Sequence, residues 1–136
     1  MIYSYYDPRY STNERERPLT SVKPSFALEY GNLFNDEYIG YKNYNPSYPI
    51  PSNEMDELMR KIQEYTNASQ DLKLFLDVNP NREDYYNLFI EYNRKVNELV
   101  REYESKYYPI FAGNSYFING YFTWITSPSV FNKGVK

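Results

Sequence analysis

Residues 52–109 read SNEMDELMRKIQEYTNASQDLKLFLDVNPNREDYYNLFIEYNRKVNELVREYESKYYP. Within this stretch, apolar or small residues recur at Met55, Leu58, Ile62, Tyr65, Ser69, Leu72 and Leu76. The steps alternate between three and four, which lines all of them up on one stripe of an α-helix. Ser52 follows Pro51 and is expected to cap that helix. Glu54, Asp56 and Glu57 then fall in the first turn, where the helix dipole favours negative charge. Asn79-Pro80-Asn81 ends the helix, because Pro80 fixes φ and brings no N–H. Asn81 is expected to cap a second helix, with Glu83 and Asp84 in its first turn. The second stripe is Tyr85, Leu88, Tyr92, Val96, Leu99 and Tyr103, widened by Phe89, Val100 and Tyr107. Pro109 closes it.

Two helices of about 27 residues would each be about 40 Å long at 1.5 Å per residue. Equal lengths and a short connection predict an antiparallel hairpin. Setting Leu76 against Tyr85 makes facing residue numbers sum to about 161. Leu72 then meets Leu88 or Phe89, Tyr65 meets Val96, Ile62 meets Leu99 and Leu58 meets Tyr103. Ser69 falls opposite Tyr92 and is expected to make room for its ring, as close packing requires. Leu74, Phe75, Tyr86 and Ile90 lie off this seam. Two helices cannot bury them, so the flanking segments, a second copy or another protein must.

Outward from the hairpin the character changes. Residues 1–51 hold Pro8, Pro18, Pro24, Pro46, Pro49 and Pro51 among Tyr, Asn and Ser. They read as an extended N-terminal arm, since each proline discourages helix before it. One helical turn or two is allowed between Ser25 and Tyr38. Residues 110–136 form an aromatic C-terminal tail without a single acidic residue. Asn119-Gly120, between Tyr116-Phe117-Ile118 and Tyr121-Phe122-Thr123, is a two-residue hairpin signal. The alternation around it is poor, so a short β-hairpin and an irregular tail both remain open. The fold class expected is mainly α: a two-helix hairpin with an arm and a tail.

Composition narrows the chemistry. The 136 residues include 18 Tyr, 8 Phe and 1 Trp, and neither Cys nor His. A disulfide framework, a Cys or His zinc site, a Cys nucleophile and a Ser-His-Asp triad are all excluded within this chain. The net charge of −3 argues against nucleic acid as a partner. No apolar run approaches the roughly 20 residues that span a bilayer. The opening residues have Tyr where a secretion signal would have a basic stretch and an apolar core, so synthesis in the cytoplasm is expected.

The remaining candidates are weak. Asp71, Asp77, Glu83, Asp84 and Glu91 are better explained by helix dipoles and solvated faces than by acid–base or metal chemistry. Asn67-Ala68-Ser69 matches a glycosylation acceptor but sits in mid-helix, with Ser69 on the seam. The tyrosines carry the strongest signal. Tyr supplies large, fairly rigid contact area with a polar tip, which suits interfaces. Oxidative cross-linking in an insoluble assembly is a second use. Single-strand stacking would need a basic groove, which the sequence lacks.

The run Asp71-Leu72-Lys73-Leu74-Phe75-Leu76-Asp77-Val78-Asn79-Pro80 resembles the core of the CotJB family. The resemblance continues through Tyr92, Arg94 and Tyr103-Glu104-Ser105-Lys106-Tyr107-Tyr108-Pro109 to Gly113-Asn114 and the stretch from Trp124 to Pro128. Asn79 stands where the family often has His, Tyr108 where it usually has Gly, and Trp124 is alone where several Trp are common. The resemblance implies a small structural protein of the spore coat, made in the mother cell cytoplasm and assembled on the forespore. It also implies a partner, a manganese-catalase-like coat protein, CotJC, encoded beside it. No enzymatic activity, cofactor or metal is expected. Phe75, Tyr86, Phe89, Tyr92, Tyr107, Phe122 and Trp124 are the expected partner-binding anchors. The arm and tail would reach along neighbouring subunits. The alternatives are a chaperone or assembly factor that holds the catalase-like partner transiently, a homo-oligomer, and a metal-binding accessory borrowing His or Cys from a partner.

Overall fold

The structure, a computed structural model, describes residues 21–34, 42–43, 50–115, 117–118 and 120–126. Three helices occupy them: α1 (Pro24–Tyr30), α2 (Glu54–Val78) and α3 (Glu83–Lys106). A two-stranded antiparallel ribbon follows, β1 (Phe117–Ile118) and β2 (Tyr121–Phe122), flanked by short 3₁₀ turns at Ala112–Asn114 and Thr123–Thr126.

The expected hairpin is present. Pairing of α2 with α3 is the most extensive packing between elements. Phe75 stacks obliquely on Tyr85 at 4.4 Å between ring centroids, and Lys106 bonds Glu54 at 2.5 Å. Both pairs fit the expected antiparallel register to within a residue. Lys106 also bonds Glu102 at 2.9 Å, so one ammonium ties the start of α2 to the last turn of α3.

Two local expectations are corrected. Asn53, not Ser52, caps α2: its side chain accepts the Asp56 N–H at 2.8 Å. Asn caps as well as Ser, and Ser52 instead donates its hydroxyl to the Asp56 carboxylate at 2.7 Å. Arg82, not Asn81, occupies the cap position of α3 and makes no side-chain cap. Its guanidinium forks onto Asp84 at 3.0 and 2.8 Å and lies over the Tyr85 ring at 4.4 Å. The Tyr92 ring meets Tyr65 edge-on at 5.4 Å, and Tyr92 packs against the core that holds Ala68 and Leu72. Ser69 is buried at the edge of a cleft that Phe89, Asn93 and Val96 also line.

The helical interruption allowed between Ser25 and Tyr38 is α1. Pro24 sits in its first turn, where a missing N–H costs nothing. Gly31 ends it at φ 80°, the left-handed conformation that glycine adopts without strain. The chain then returns on itself: the Val22 N–H donates to the Leu33 carbonyl at 2.9 Å, and Ser21 bridges Phe34. Residues 21–34 are therefore a closed unit, and it packs on α2 of its own hairpin rather than extending away. Apart from residues 42–43 and 50–51, the remainder of the expected arm lies outside the described residues.

Two cores result. At the turn end, Ala27, Leu33 and Phe34 join Ala68, Leu72 and Tyr85. At the other end, Leu58, Ile62, Leu99, Val100 and Tyr103 are joined by Met55, Met59, Tyr108 and Ile110. Tyr103 is 1% exposed and touches the rings of both Tyr107 and Tyr108. Glu104 folds the tail back by accepting the Ile110 N–H at 2.8 Å and the Asn114 amide. In the tail, the register Phe117↔Phe122 and Ile118↔Tyr121 settles the open choice in favour of the β-hairpin. Gly120, at φ 76°, makes the turn.

Leu33 is fully buried, so Leu33→Ala should cost about 2–5 kcal/mol in a urea melt, whereas exposed Leu74→Ala should cost roughly 0.5 kcal/mol or less. Arg82→Lys keeps the charge but loses the fork and the ring stacking. It should lower the melting temperature clearly more than Arg94→Lys at the exposed Arg94–Glu98 pair.

Candidate partner-binding surfaces

At 100° per residue, Arg60, Asp71 and Phe75 lie on one side of the α2 seam, and Met55 and Met59 on the other. The closed unit holds the first side: Glu29 bonds Arg60 at 3.1 Å, the Leu33 N–H bonds Asp71 at 3.1 Å, and Phe34 packs on Phe75 at 5.1 Å. The tail residues Tyr108 and Ile110, like Met55 and Met59, pack against the core at the open end. The closed unit thus lies along one face from Arg60 to Phe75, and the start of the tail lies at the open end of the hairpin. Each face keeps uncovered surface among the described residues.

The uncovered part beside the tip of the closed unit is an apolar groove. Phe34, Leu74, Phe75 and Val78 line it, with Asp71 and Asn79 at its edge, and its volume is about 380 Å³. Leu74 is 56% and Val78 72% exposed, although both project from the helix that carries the main seam. The uncovered part of the same face farther along is a charged depression, where Lys61 and Lys95 lie among Glu54, Glu57, Glu64 and Glu102. The opposite face has the cleft at Ser69, about 170 Å³, bordered by Thr66, Gln70, Lys73, Phe89, Asn93 and Val96.

The seven expected anchors fall in three places. Phe75, Phe89 and Tyr92 are half-buried and pack against the core at the turn end. Phe75 is held there by its own chain, between Phe34 and Tyr85, so Phe75→Ala perturbs the fold as well as any interface. Tyr86 is exposed on α3, and Tyr107 is partly exposed against Tyr103 at the far end. Phe122 is 41% exposed on β2, and Trp124 is half-buried in the 3₁₀ turn after it. Sequence reading did not single out Val78 or the groove. Its signal was the i, i+4 pair Leu74 and Val78 just outside the seam.

Chemically the surfaces are receptive rather than reactive. Among the described residues, no group of three or more His, Cys, Asp or Glu side chains is placed to hold a metal ion. No described helix is long and apolar enough to cross a membrane. Burial pushes the Asp71 carboxyl above its ordinary value, and the Leu33 N–H opposes that shift. Arg82 holds Asp84 below its ordinary value through their hydrogen bonds, against the desolvation that would raise it.

A family model described as CotJB protein matches residues 56–129, more than half of the chain. The chain belongs to the CotJB family. It is a spore coat protein on that ground. No curated protein and no solved structure matches it. The family region takes in all of α3, nearly all of α2, and the tail through Trp124. The closed unit of residues 21–34 precedes it, so this CotJB chain brings its own cover for part of one face.

Asp71 gives a pH signature. Its folded value lies above its unfolded value, so its ionisation disfavours the folded state. Stability should fall as pH rises from about 4, the ordinary aspartate value, towards the raised folded value, and level off above it. Asp71→Asn keeps an acceptor for the Leu33 N–H and removes the titration. Urea midpoints measured across that window should be flatter for Asp71→Asn than for the wild type.

Proposed function

We propose that this CotJB protein is a structural, non-enzymatic building block of the coat, which docks onto neighbouring coat proteins through its apolar surfaces. A manganese-catalase-like subunit is the partner the family resemblance favours. The observation that carries the reading is the groove of Phe34, Leu74, Phe75 and Val78. It continues the core at the turn end but leaves Leu74 and Val78 mostly exposed. Burying one such side chain is worth about 1.5–3 kcal/mol, so an apolar side chain from a partner has reason to enter. The exposed Phe111, Phe122 and Ile125 give the tail a second contact surface. Buried apolar anchors, with charged residues at the rim, give affinity in this mode.

Co-expression with the neighbouring catalase-like protein, followed by size-exclusion chromatography, tests the proposal. The wild type should co-elute with the partner, and Leu74→Arg/Val78→Arg should lose co-elution while keeping its helical circular dichroism. Co-elution unchanged in the double variant would contradict docking at this groove. Blotting of extracted, purified spores separates a coat component from a transient chaperone: the coat reading requires the protein to be there, and the chaperone reading requires it to be absent.

A further inference from the structure

The docking groove contains one charge among its described lining residues, the carboxylate of Asp71. That carboxylate is half-buried, and among the described residues it has a single partner: its Oδ2 accepts the Leu33 N–H at 3.1 Å. An ionised carboxylate can accept about four hydrogen bonds, so Oδ1 is left without a protein donor. No described cation faces it. Elsewhere the acids near the helices are matched. Glu29 and Glu64 share Arg60, each at 3.1 Å. Arg82 holds Asp84, and Lys106 holds Glu54 and Glu102. The ionisation behaviour follows the same division. Hydrogen bonds to a cation pull Glu54 and Asp84 down, whereas burial pushes Asp71 up.

The chain itself shows what completes such a site. The Arg82 guanidinium lies over the Tyr85 ring at 4.4 Å and 5.9 Å from the Phe75 centroid, while it forks onto Asp84. The groove offers the same two elements, with Phe34 and Phe75 as aromatic walls and Asp71 at the edge, but without the cation. A purely apolar entrant would cover Leu74 and Val78 and seal Asp71 away uncompensated, which is costly. An acidic entrant would be repelled. A long basic side chain satisfies both parts, because its stem covers apolar surface while its head reaches the carboxylate. Arginine suits the aromatic walls better than lysine, being planar and weakly hydrated. A groove of about 380 Å³ is ample for one such side chain.

Resting on the docking proposed above, we infer that the partner enters this groove with an arginine: its stem lies along Leu74 and Val78, and its guanidinium packs on the phenylalanine walls and bonds Asp71. The apolar entrant of that docking is then the arginine stem.

Titration of the isolated full chain with n-butylguanidinium, followed by NMR, tests the inference. The Leu74 and Val78 methyl signals and the Leu33 amide should shift saturably. 1-Butanol should bind more weakly, and pentanoate should shift none of them. Asp71→Asn keeps an acceptor for the Leu33 N–H, and it should weaken n-butylguanidinium roughly threefold or more. Glu91→Gln, an exposed charge change on α3, should bind it as the wild type does. No saturable binding, equal binding of 1-butanol, or undiminished binding to Asp71→Asn overturns the inference. Co-elution with the catalase-like protein separates it from the docking proposal. Asp71→Asn should lower the co-eluting fraction. If Leu74→Arg/Val78→Arg abolishes co-elution and Asp71→Asn leaves it intact, the arginine is overturned and the docking stands. If neither variant changes co-elution, the docking itself is overturned.

Discussion

The structure depends on the burial of Phe75 and Tyr85 at the turn end of the hairpin. Two antiparallel helices share one seam, and side chains just off that seam have nowhere to go. The chain solves the problem on one side with Phe34, whose ring lies 5.1 Å from Phe75 and 5.8 Å from Tyr85. Arg82 closes the far edge of the cluster: it is 7% exposed, stacked on Tyr85 and held by Asp84. Remove the closed unit of residues 21–34, and Leu72, Ala68 and Tyr85 lose their cover together.

The two flanks divide the hairpin between them. The closed unit shields one face from Arg60 to Phe75, and Tyr108, Ile110 and the Glu104 clamp shield the open end of the hairpin. A monomer built this way is stable where it is covered and exposes apolar surface where it is not. Residues 21–34 differ in this from a mobile arm that finds order only on a neighbour. The surfaces described are preformed, so the proposed docking would order fewer groups and lose less entropy.

How much of this the sequence made legible depends on the range of the interaction. The alternation of threes and fours from Met55 to Leu76 and from Tyr85 to Tyr103 is a local signal, and both helices and their register follow from it. The hairpin turn at Gly120 is local too. Asn53 displaced Ser52 as the cap because adjacent polar residues cap equally well and only the position of Asp56 decides between them. The closed unit was legible only as a turn of helix, since its anchoring bond joins the Leu33 N–H to Asp71, 38 positions away. Arg82 was missed for a similar reason: a cation before Glu83 and Asp84 reads as a helix-start charge pattern, while its stacking on Tyr85 requires the fold. The anchors Phe75, Phe89 and Tyr92 were chosen by size, but packing within the chain engages them first. That leaves the exposed roles to Leu74, Val78, Tyr86 and Ile90.

The central claim is that these four side chains stay uncovered in the isolated chain and become covered in the assembly. Hydroxyl-radical footprinting of the free protein and of intact spores measures this residue by residue. The account predicts strong labelling of Leu74, Val78, Tyr86 and Ile90 in the free chain and protection in the coat, with Leu33, Leu72 and Tyr103 protected in both. Protection of all four in a free monomer, or equal labelling in free and assembled protein, would contradict it.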